Sequence, residues 1–255
     1  MAALEREVWR IDRAGSLDRL QPVTEELPPP GPGEVRVRVR AVGLNFADVF
    51  ACLGLYSATP AGSFVPGLEC AGEVEASGQV LPGRPGWRPG DRVVVLTRFG
   101  AYATHVNVDS RYLHALPADW TFAEGAAWPV QTLTAWYAIG PLAAVERGDL
   151  VLVHSAAGGV GLQAIALLDG LGARAVATVG SADKARFLAR HAGIDPERVI
   201  VRDRRTFPAQ LDRALASAGA TGFDAVLDAL MGPYFAPAHA RLAPEGRHVV
   251  FGAAD

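Results

Sequence analysis

The sequence is short of cysteine and lysine, and it has no surplus of positive charge. Two cysteines among 255 residues, Cys52 and Cys70, exclude a disulfide-stabilised secreted scaffold and fit a reducing compartment. The 24 basic and 27 acidic residues give a net charge of −3, which argues against a nucleic-acid-binding protein. A chain of this length buries about 70% of its unfolded surface, so it can fold without disulfides or a structural metal.

Charged residues are absent from one long stretch, Gly125–Val145. The stretch is long enough to cross a membrane, but it contains Pro129, Pro141 and several polar side chains that are costly in lipid. We predict a buried helix that connects two domains instead. The N-terminus lacks the apolar core of a signal peptide, so we expect a cytoplasmic protein with no membrane span.

The first half of the chain has the pattern of a β domain. Glu34–Arg40 alternates apolar and basic residues, as a half-buried strand does. Further strands are predicted at 72–76, 91–96 and 102–108, separated by turns rich in proline and glycine. Short strands with frequent turns predict a small β-barrel domain over residues 1–124.

The second half changes to alternating strands and helices. Such alternation predicts βαβ units and a parallel sheet covered by helices on both faces. We assign residues 125–255 to this α/β domain, with 125–147 as a connecting helix. The predicted strands are 150–154, 174–179, 198–201, 223–228 and 247–251, and the predicted helices are 162–171, 183–191, 207–218 and 233–242.

A glycine-rich turn follows the first of these parallel strands. The segment Val151-Leu-Val-His-Ser-Ala-Ala-Gly-Gly-Val-Gly161 places Ala156, Gly158 and Gly161 at the three positions of the dinucleotide-binding motif G-x-G-x-x-G. Gly158 would let the backbone approach a pyrophosphate, and Gly161 would let the helix pack closely. The free N–H groups of the helix N-terminus would bind phosphate. A tight turn without a ligand is the alternative.

The end of the next strand indicates which dinucleotide binds. An NAD enzyme places a carboxylate there for the ribose 2′-OH, but this chain has Gly180 and Ser181. Lys184, the only lysine in the chain, follows within one turn, so we predict NADPH. A solvated surface lysine is the alternative. Asp183 could pair with a nearby cation or weaken phosphate binding.

Five motifs follow one another along the chain: Asn45-Phe-Ala-Asp48 with Gly54-Leu-Tyr56, Val65-Pro-Gly-Leu-Glu-Cys-Ala-Gly72, Thr134-Ala-Trp136, Ala156-Ala-Gly-Gly-Val-Gly161 and Gly246-Arg-His-Val-Val-Phe-Gly252. In this order they resemble the zinc-independent quinone oxidoreductases and enoyl reductases of the medium-chain dehydrogenase/reductase superfamily. The resemblance covers most of the chain and implies a GroES-like β-barrel domain, then a Rossmann domain, with a cleft between them. It also implies NADPH-dependent reduction of a quinone or an activated C=C bond.

The same resemblance allows a test for zinc. Zinc-dependent members of the superfamily have a cysteine ligand where this chain has Asn45, and a histidine where it has Leu68, before Glu69. Leucine cannot bind a metal, and asparagine would be an unusual zinc ligand. The cysteines of the structural zinc lobe are missing from residues 81–90. We therefore expect no metal site, and we expect Cys70 to be a buried apolar residue.

Without zinc, hydrogen-bond donors must stabilise the oxygen on which negative charge develops. The resemblance places Asn45 and Tyr56 in the cleft, so we predict both as catalytic donors, with Tyr56 also a possible proton donor. A satisfied loop amide and a packing aromatic are the alternatives. Asp48 is expected to be structural. The predicted cofactor-binding residues are Asn45, Thr134, Ala157, Gly158, Gly159, Val160, Gly161, Ser181, Lys184, Arg202, Phe251 and Gly252.

Two functions from different classes therefore stay open. The first is an NADPH-dependent reductase of quinones or α,β-unsaturated carbonyl compounds. The second is an NADP(H)-binding interaction or regulatory protein with little turnover, because a fold does not fix a function. Family members normally continue past Gly252 to a sixth strand. We therefore expect a chain truncated after Asp255, with five of the six Rossmann strands and a homodimer if the missing segment is present in the full-length protein. A naturally compact variant is the alternative.

Overall fold

A computed structural model describes residues 3–253, which form two compact units that divide between Val130 and Gln131. The predicted α/β class is confirmed, with an antiparallel sheet in the first unit and a parallel sheet in the second. Met1, Ala2, Ala254 and Asp255, and with them the end of the chain, lie outside the described residues.

The first unit is built on a five-stranded antiparallel sheet with the order β6-β3-β4-β5-β7. Valine side chains of these strands, together with Cys70, form its core. Cys70 is fully buried, as predicted, and burial raises the pKa of its thiol to about 12. The strands are β3 (Glu34–Val42), β4 (Glu69–Ser77), β5 (Arg92–Leu96), β6 (His105–Asp109) and β7 (Leu113–Ala115).

An antiparallel hairpin, β1 (Leu4–Ile11) and β2 (Leu20–Leu27), precedes this sheet. Single bridges join it to later loops, from Val8 to Ala103 and from Ile11 to Phe64. The hairpin is not among the strands predicted from the sequence, because charged residues interrupt its apolar alternation. Glu25 of β2 forms ion pairs with Arg6 and Arg10 of β1, so these charged side chains join the two strands of the hairpin.

A short helix, α1 (Phe46–Leu53), follows β3 and begins at Asn45. Asn45 is the N-cap residue, and its N–H donates to the Asp48 side chain in the first turn, which explains where the helix starts. The helix ends at Gly54, whose φ of 76° is the left-handed conformation that glycine adopts easily.

The predicted single helix over residues 125–147 is wrong. Two helices, α2 (Phe122–Ala126) and α3 (Pro129–Tyr137), are followed by a π-helical turn, Ala138–Leu142. Pro129 lacks an N–H and disfavours helical backbone in the residue before it, so one helix ends and another starts there. The prediction of burial also fails, because Trp136 and Tyr137 are about half exposed.

Among the described residues, no helix has the length and apolar character needed to cross a membrane.

The second unit contains five parallel strands in the order β10-β9-β8-β11-β12, as the alternation predicts. Apolar clusters cover both faces of the sheet. The strands are β8 (Leu150–Val153), β9 (Arg174–Val179), β10 (Val199–Val201), β11 (Phe223–Asp228) and β12 (Leu242–Val250). The helices are α4 (Gly159–Leu171), α5 (Ala182–His191), α6 (Phe207–Ala218) and α7 (Gly232–His239).

The strand order reverses beside β8, because the chain passes from β8 to β9 and β10 and then returns to β11 and β12. Ligands of such sheets bind outside the carboxyl ends of the strands, at the point of reversal. We call the last residues of the five strands and the loops that follow them the carboxyl edge.

Candidate functional site

The glycine-rich turn lies at the centre of the carboxyl edge, between β8 and α4. Ser155 has a φ of 51°, and its carbonyl accepts a 2.8 Å hydrogen bond from the N–H of Gly158. The N–H of Ala156 donates to the carbonyl of Thr178 on β9 (3.0 Å). The turn is thereby fixed to the neighbouring strand, with the N-terminus of α4 directly after it.

The glycines of this turn differ in the space around them. A Cβ at Gly161 would lie 2.5 Å from Cα of Ala156, so the close approach of helix and turn requires glycine there. A Cβ at Gly158 would meet one atom within 4 Å, the carbonyl oxygen of Ser155 at 3.2 Å, so its outer face is open. A side chain at Gly159 would occupy the place of the Gln131 carboxamide. Gln131 is a neighbour of the turn that the sequence analysis did not identify.

The tip of β9 has the features predicted for a site that accepts phosphate. The Ser181 side chain caps α5 by accepting from the N–H of Lys184 (3.3 Å). The Lys184 side chain is exposed and forms no ion pair within residues 3–253. Asp183 pairs with Arg186 instead. The ammonium group is therefore available at this tip.

Arg202 follows β10 and turns back towards the tip of β9. Its Nη1 donates to Oγ1 of Thr178 (3.1 Å), and its guanidinium carbon lies 5.3 Å from the centre of the Tyr234 ring. A Cβ at Gly180 would lie 3.4 Å from Nη2 of Arg202. Arg202 is thus a second cation next to Gly180 and Ser181.

On the other side of β8, the carboxyl edge is stabilised by a buried carboxylate that the sequence analysis did not identify. Asp228 accepts from the N–H groups of Leu230 (2.7 Å) and Met231 (3.0 Å), and its Oδ2 lies 3.0 Å from Nε2 of His248. Burial alone would raise the pKa of Asp228, but these hydrogen bonds lower it to about 2. Asp228 therefore orders the loop between β11 and α7.

Three further predicted cofactor residues lie in the second unit. Phe251 and Gly252 follow β12 at the carboxyl edge, where the N–H of Phe251 donates to the carbonyl of Asp228 (2.9 Å). A Cβ at Gly252 would lie 2.9 Å from the carbonyl oxygen of Ala229. Thr134 is half-buried in α3.

The predicted catalytic residues lie in the first unit, and Asn45 is tightly held there. Its Nδ2 donates a 2.7 Å hydrogen bond to Oε1 of Glu69. Glu69 is fully buried at the start of β4, and its Oε2 accepts from the N–H of Val130 (2.8 Å). Burial raises the pKa of Glu69. A Cβ at Gly43 would collide with Glu69 and the Ala126 carbonyl, so glycine leaves the space for this carboxyl group.

A second buried carboxyl group holds the backbone of Asn45. Oδ2 of Asp48 accepts from the N–H of Asn45 (2.9 Å) and from the hydroxyl of Tyr102 (3.1 Å). Asp48 is 2% exposed, and burial raises its pKa. We call Asn45, Asp48, Glu69 and Tyr102 the amide cluster. The structural role predicted for Asp48 agrees with these contacts.

Tyr56 lies in the loop after α1, half-buried against an apolar cluster that contains Ile11, Cys52 and Phe64. Its carbonyl accepts from the N–H and the hydroxyl of Thr59 (2.9 and 2.7 Å). These contacts fix the loop, and they leave the role of the Tyr56 hydroxyl as a prediction.

Within residues 3–253, histidine, cysteine, aspartate and glutamate side chains form no group of three or more that could hold a metal ion. Where a ligand cysteine would stand in a zinc-dependent relative, Asn45 instead uses its amide to bind Glu69.

Known proteins resemble this chain in both units. The Alcohol dehydrogenase GroES-like domain family matches residues 31–118, in the antiparallel sheet. Across the whole fold, the CurK enoyl reductase is 32% identical with a TM-score of 0.84, over 97% of this chain and 74% of that one. A mycobacterial protein solved in complex with NADPH is 34% identical with a TM-score of 0.85, over 98% of this chain and 74% of that one.

Among curated proteins, the pikromycin polyketide synthase component PikAII of Streptomyces venezuelae is 41% identical in an alignment that covers 97% of this chain. The chain spans 6% of that protein, and 11% of the spectinabilin polyketide synthase system protein NorB of Streptomyces orinoci, to which it is 38% identical. It thus corresponds to a small part of much longer proteins.

Proposed function

Because the chain belongs to the medium-chain dehydrogenase/reductase superfamily, in its branch of quinone oxidoreductases and enoyl reductases, we propose that it is an NADPH-dependent oxidoreductase. Its substrate is an α,β-unsaturated carbonyl compound whose C=C bond is reduced. The similarity to polyketide synthases and to an enoyl reductase supports this substrate class. A quinone is the second candidate, supported by the similarity to a quinone oxidoreductase of Pseudomonas syringae, 31% identical over 74% of that chain.

The carboxyl edge carries the proposal for the cofactor. Gly158 is open to the approach of a pyrophosphate, and the N–H groups of α4 follow directly. The tip of β9 has no carboxylate to repel a 2′-phosphate, and two cations, Lys184 and Arg202, flank it. The residues that would hold NADPH are Thr134, Ala157, Gly158, Gly159, Val160, Gly161, Ser181, Lys184, Arg202, Phe251 and Gly252.

NADPH supplies the hydride when it is bound. The work of the protein is then to stabilise the negative charge that develops on the substrate oxygen. We assign this work to Asn45, whose amide has a second N–H besides the one bonded to Glu69. Tyr56 is the candidate proton donor, through its hydroxyl or through water.

We propose that the reaction needs no zinc. Asn45 and Leu68 replace the residue types that bind zinc, because leucine has no ligand atom and an asparagine amide is not among the usual ligands of zinc.

Oxidation of NADPH and of NADH with a panel of enoyl thioesters, enones and quinones tests the proposal. Protein treated with a chelator is expected to oxidise NADPH, not NADH, with an unsaturated carbonyl substrate. Turnover of quinones alone would favour the second substrate class. Tight NADPH binding without turnover of any compound would favour a regulatory protein, and restoration of activity by zinc would refute the metal-free mechanism.

A further inference from the structure

Polar side chains end the strands of the second unit on one face of the sheet. Leu150 and Leu152 of β8 belong to the apolar cluster on this face, and the next residue on the same side is His154. On β9, Val176 is followed in the same way by Thr178. Both polar residues are almost fully buried, His154 at 1% and Thr178 at 0% exposure.

The two side chains continue a chain of hydrogen bonds that begins at Arg202, passes through Thr178 and ends at His154. Oγ1 of Thr178 accepts from Nη1 of Arg202 (3.1 Å) and lies 2.9 Å from Nδ1 of His154. Because the guanidinium only donates, the Thr178 hydroxyl proton is free to point to His154. Burial lowers the pKa of His154 to about 4, so its ring is neutral near pH 7 and Nδ1 can accept that proton.

The other sides of the guanidinium are also restricted. The Tyr234 ring lies 5.3 Å from its central carbon, within the range of a cation–π contact. Gly180 leaves room for Nη2, since a Cβ there would be 3.4 Å away. Arg202 therefore has a defined position beside Gly180, instead of the freedom of an exposed arginine.

The buried pair of His154 and Thr178 lowers the stability of the protein at one atom, so it is not explained as a stabilising contact. Nε2 of His154 is buried and has no hydrogen-bond partner within residues 3–253. An unsatisfied buried polar group is unfavourable, and an apolar pair would fill this face without it. What the pair adds is the orientation of one lone pair of Thr178 towards Arg202.

We propose that Thr178 and His154 are positioning residues that hold the Arg202 guanidinium for the 2′-phosphate of NADPH. They would thereby set the preference of the protein for NADPH over NADH. This inference rests on the proposed function and adds to it a specificity device built into the sheet.

The test measures dissociation constants of NADPH and NADH by fluorescence titration, so that it does not depend on catalysis. Arg202→Ala is expected to reduce the preference for NADPH about tenfold, the effect of one charge-assisted hydrogen bond. Thr178→Val, which keeps the shape of the side chain, and His154→Leu are expected to reduce it several-fold, with NADH affinity unchanged. Thr178→Ser keeps the hydroxyl group and is expected to keep the preference for NADPH.

Thr132→Val is the matched control, because the buried Oγ1 of Thr132 has no hydrogen-bond partner among the residues that the structure describes. It removes an equivalent hydroxyl and is expected to leave the preference unchanged. If Arg202→Ala lowers the preference while Thr178→Val and His154→Leu do not, the positioning role is wrong and the proposed function stands. If the unmodified protein does not prefer NADPH, the proposed cofactor itself is wrong.

Discussion

The carboxyl edge and the amide cluster differ in the chemical groups that form them. At the carboxyl edge, the features that matter are backbone N–H groups, glycines that leave space, and the cations Lys184 and Arg202. In the amide cluster, two buried carboxyl groups, Asp48 and Glu69, hold a single asparagine. The difference teaches that the second unit presents a surface for an anionic ligand, whereas the first fixes one hydrogen-bond donor.

The two regions also differ in their charged groups, with buried carboxyl groups in the amide cluster and cations at the tip of β9. Burial raises the pKa of both Asp48 and Glu69, and both are used internally by hydrogen bonds. The buried carboxylate near the carboxyl edge, Asp228, bonds to loop N–H groups and His248, so it does not oppose the cations at the tip of β9. Substitutions in each region should therefore affect different measurements.

Gly161→Ala is expected to have the largest effect at the carboxyl edge. The new methyl group would lie 2.5 Å from backbone of Ala156, so the turn or α4 must move. We expect a loss of about 1–3 kcal/mol in the free energy of unfolding and loss of NADPH binding. Urea denaturation and nucleotide titration measure these quantities.

Gly170→Ala is the control in the same helix, because nothing lies within 4 Å of its added Cβ. It should stabilise the protein by about 0.5–1 kcal/mol and leave binding intact. Equal stability of the two variants would show that the close approach at Gly161 is not required.

Asn45→Ala tests the amide cluster and should lower kcat about 100-fold, the usual cost of removing one donor to a developing oxyanion. Glu69→Leu should lower kcat similarly, because it frees the amide, whereas Glu69→Gln retains an acceptor and most of the activity. Asn107→Ala, at the other asparagine of the chain, is the control. Unchanged kcat and unchanged NADPH affinity are expected for Asn107→Ala. Full activity of Asn45→Ala would remove the catalytic role.

A pH dependence of stability is expected from His154. Its pKa is near 6.5 in the unfolded chain and about 4 in the folded protein, because burial disfavours the charged ring. The stability that the neutral ring provides is therefore complete above about pH 6.5 and is lost as the pH falls to about 4. Between pH 7 and pH 5, the loss should be about 2 kcal/mol larger in the natural protein than in His154→Leu. Urea denaturation at the two pH values measures this loss, and an equal loss in the natural protein and in His154→Leu would contradict the prediction.

Lys184→Ala is expected to have the smallest effect, about a tenfold weaker affinity for NADPH without change for NADH. Arg190→Ala removes an exposed cation from the last turn of the same helix and leaves the pair of Asp183 with Arg186 intact, so it should change neither affinity. If the two variants behave alike, the charge of α5 acts only through its general field.

The local structure of the carboxyl edge follows more directly from the sequence than that of the amide cluster, and the reason is physical. The turn before α4 depends on residues next to one another in the chain, and strand alternation alone places His154 and Thr178 on one face. The bond from Asn45 to Glu69 joins residues 24 positions apart, and no local pattern contains that distance. The break at Pro129 was visible in the sequence, but the uncharged run around it favoured one helix.

Transfer of deuterium from NADPH labelled at the reactive C4 position tests the central claim most directly. With an enoyl thioester and chelator-treated protein, the account predicts a saturated product that carries one deuterium, and little product when labelled NADH is supplied instead. An unlabelled product, equal transfer from NADH, or a requirement for added zinc would contradict it.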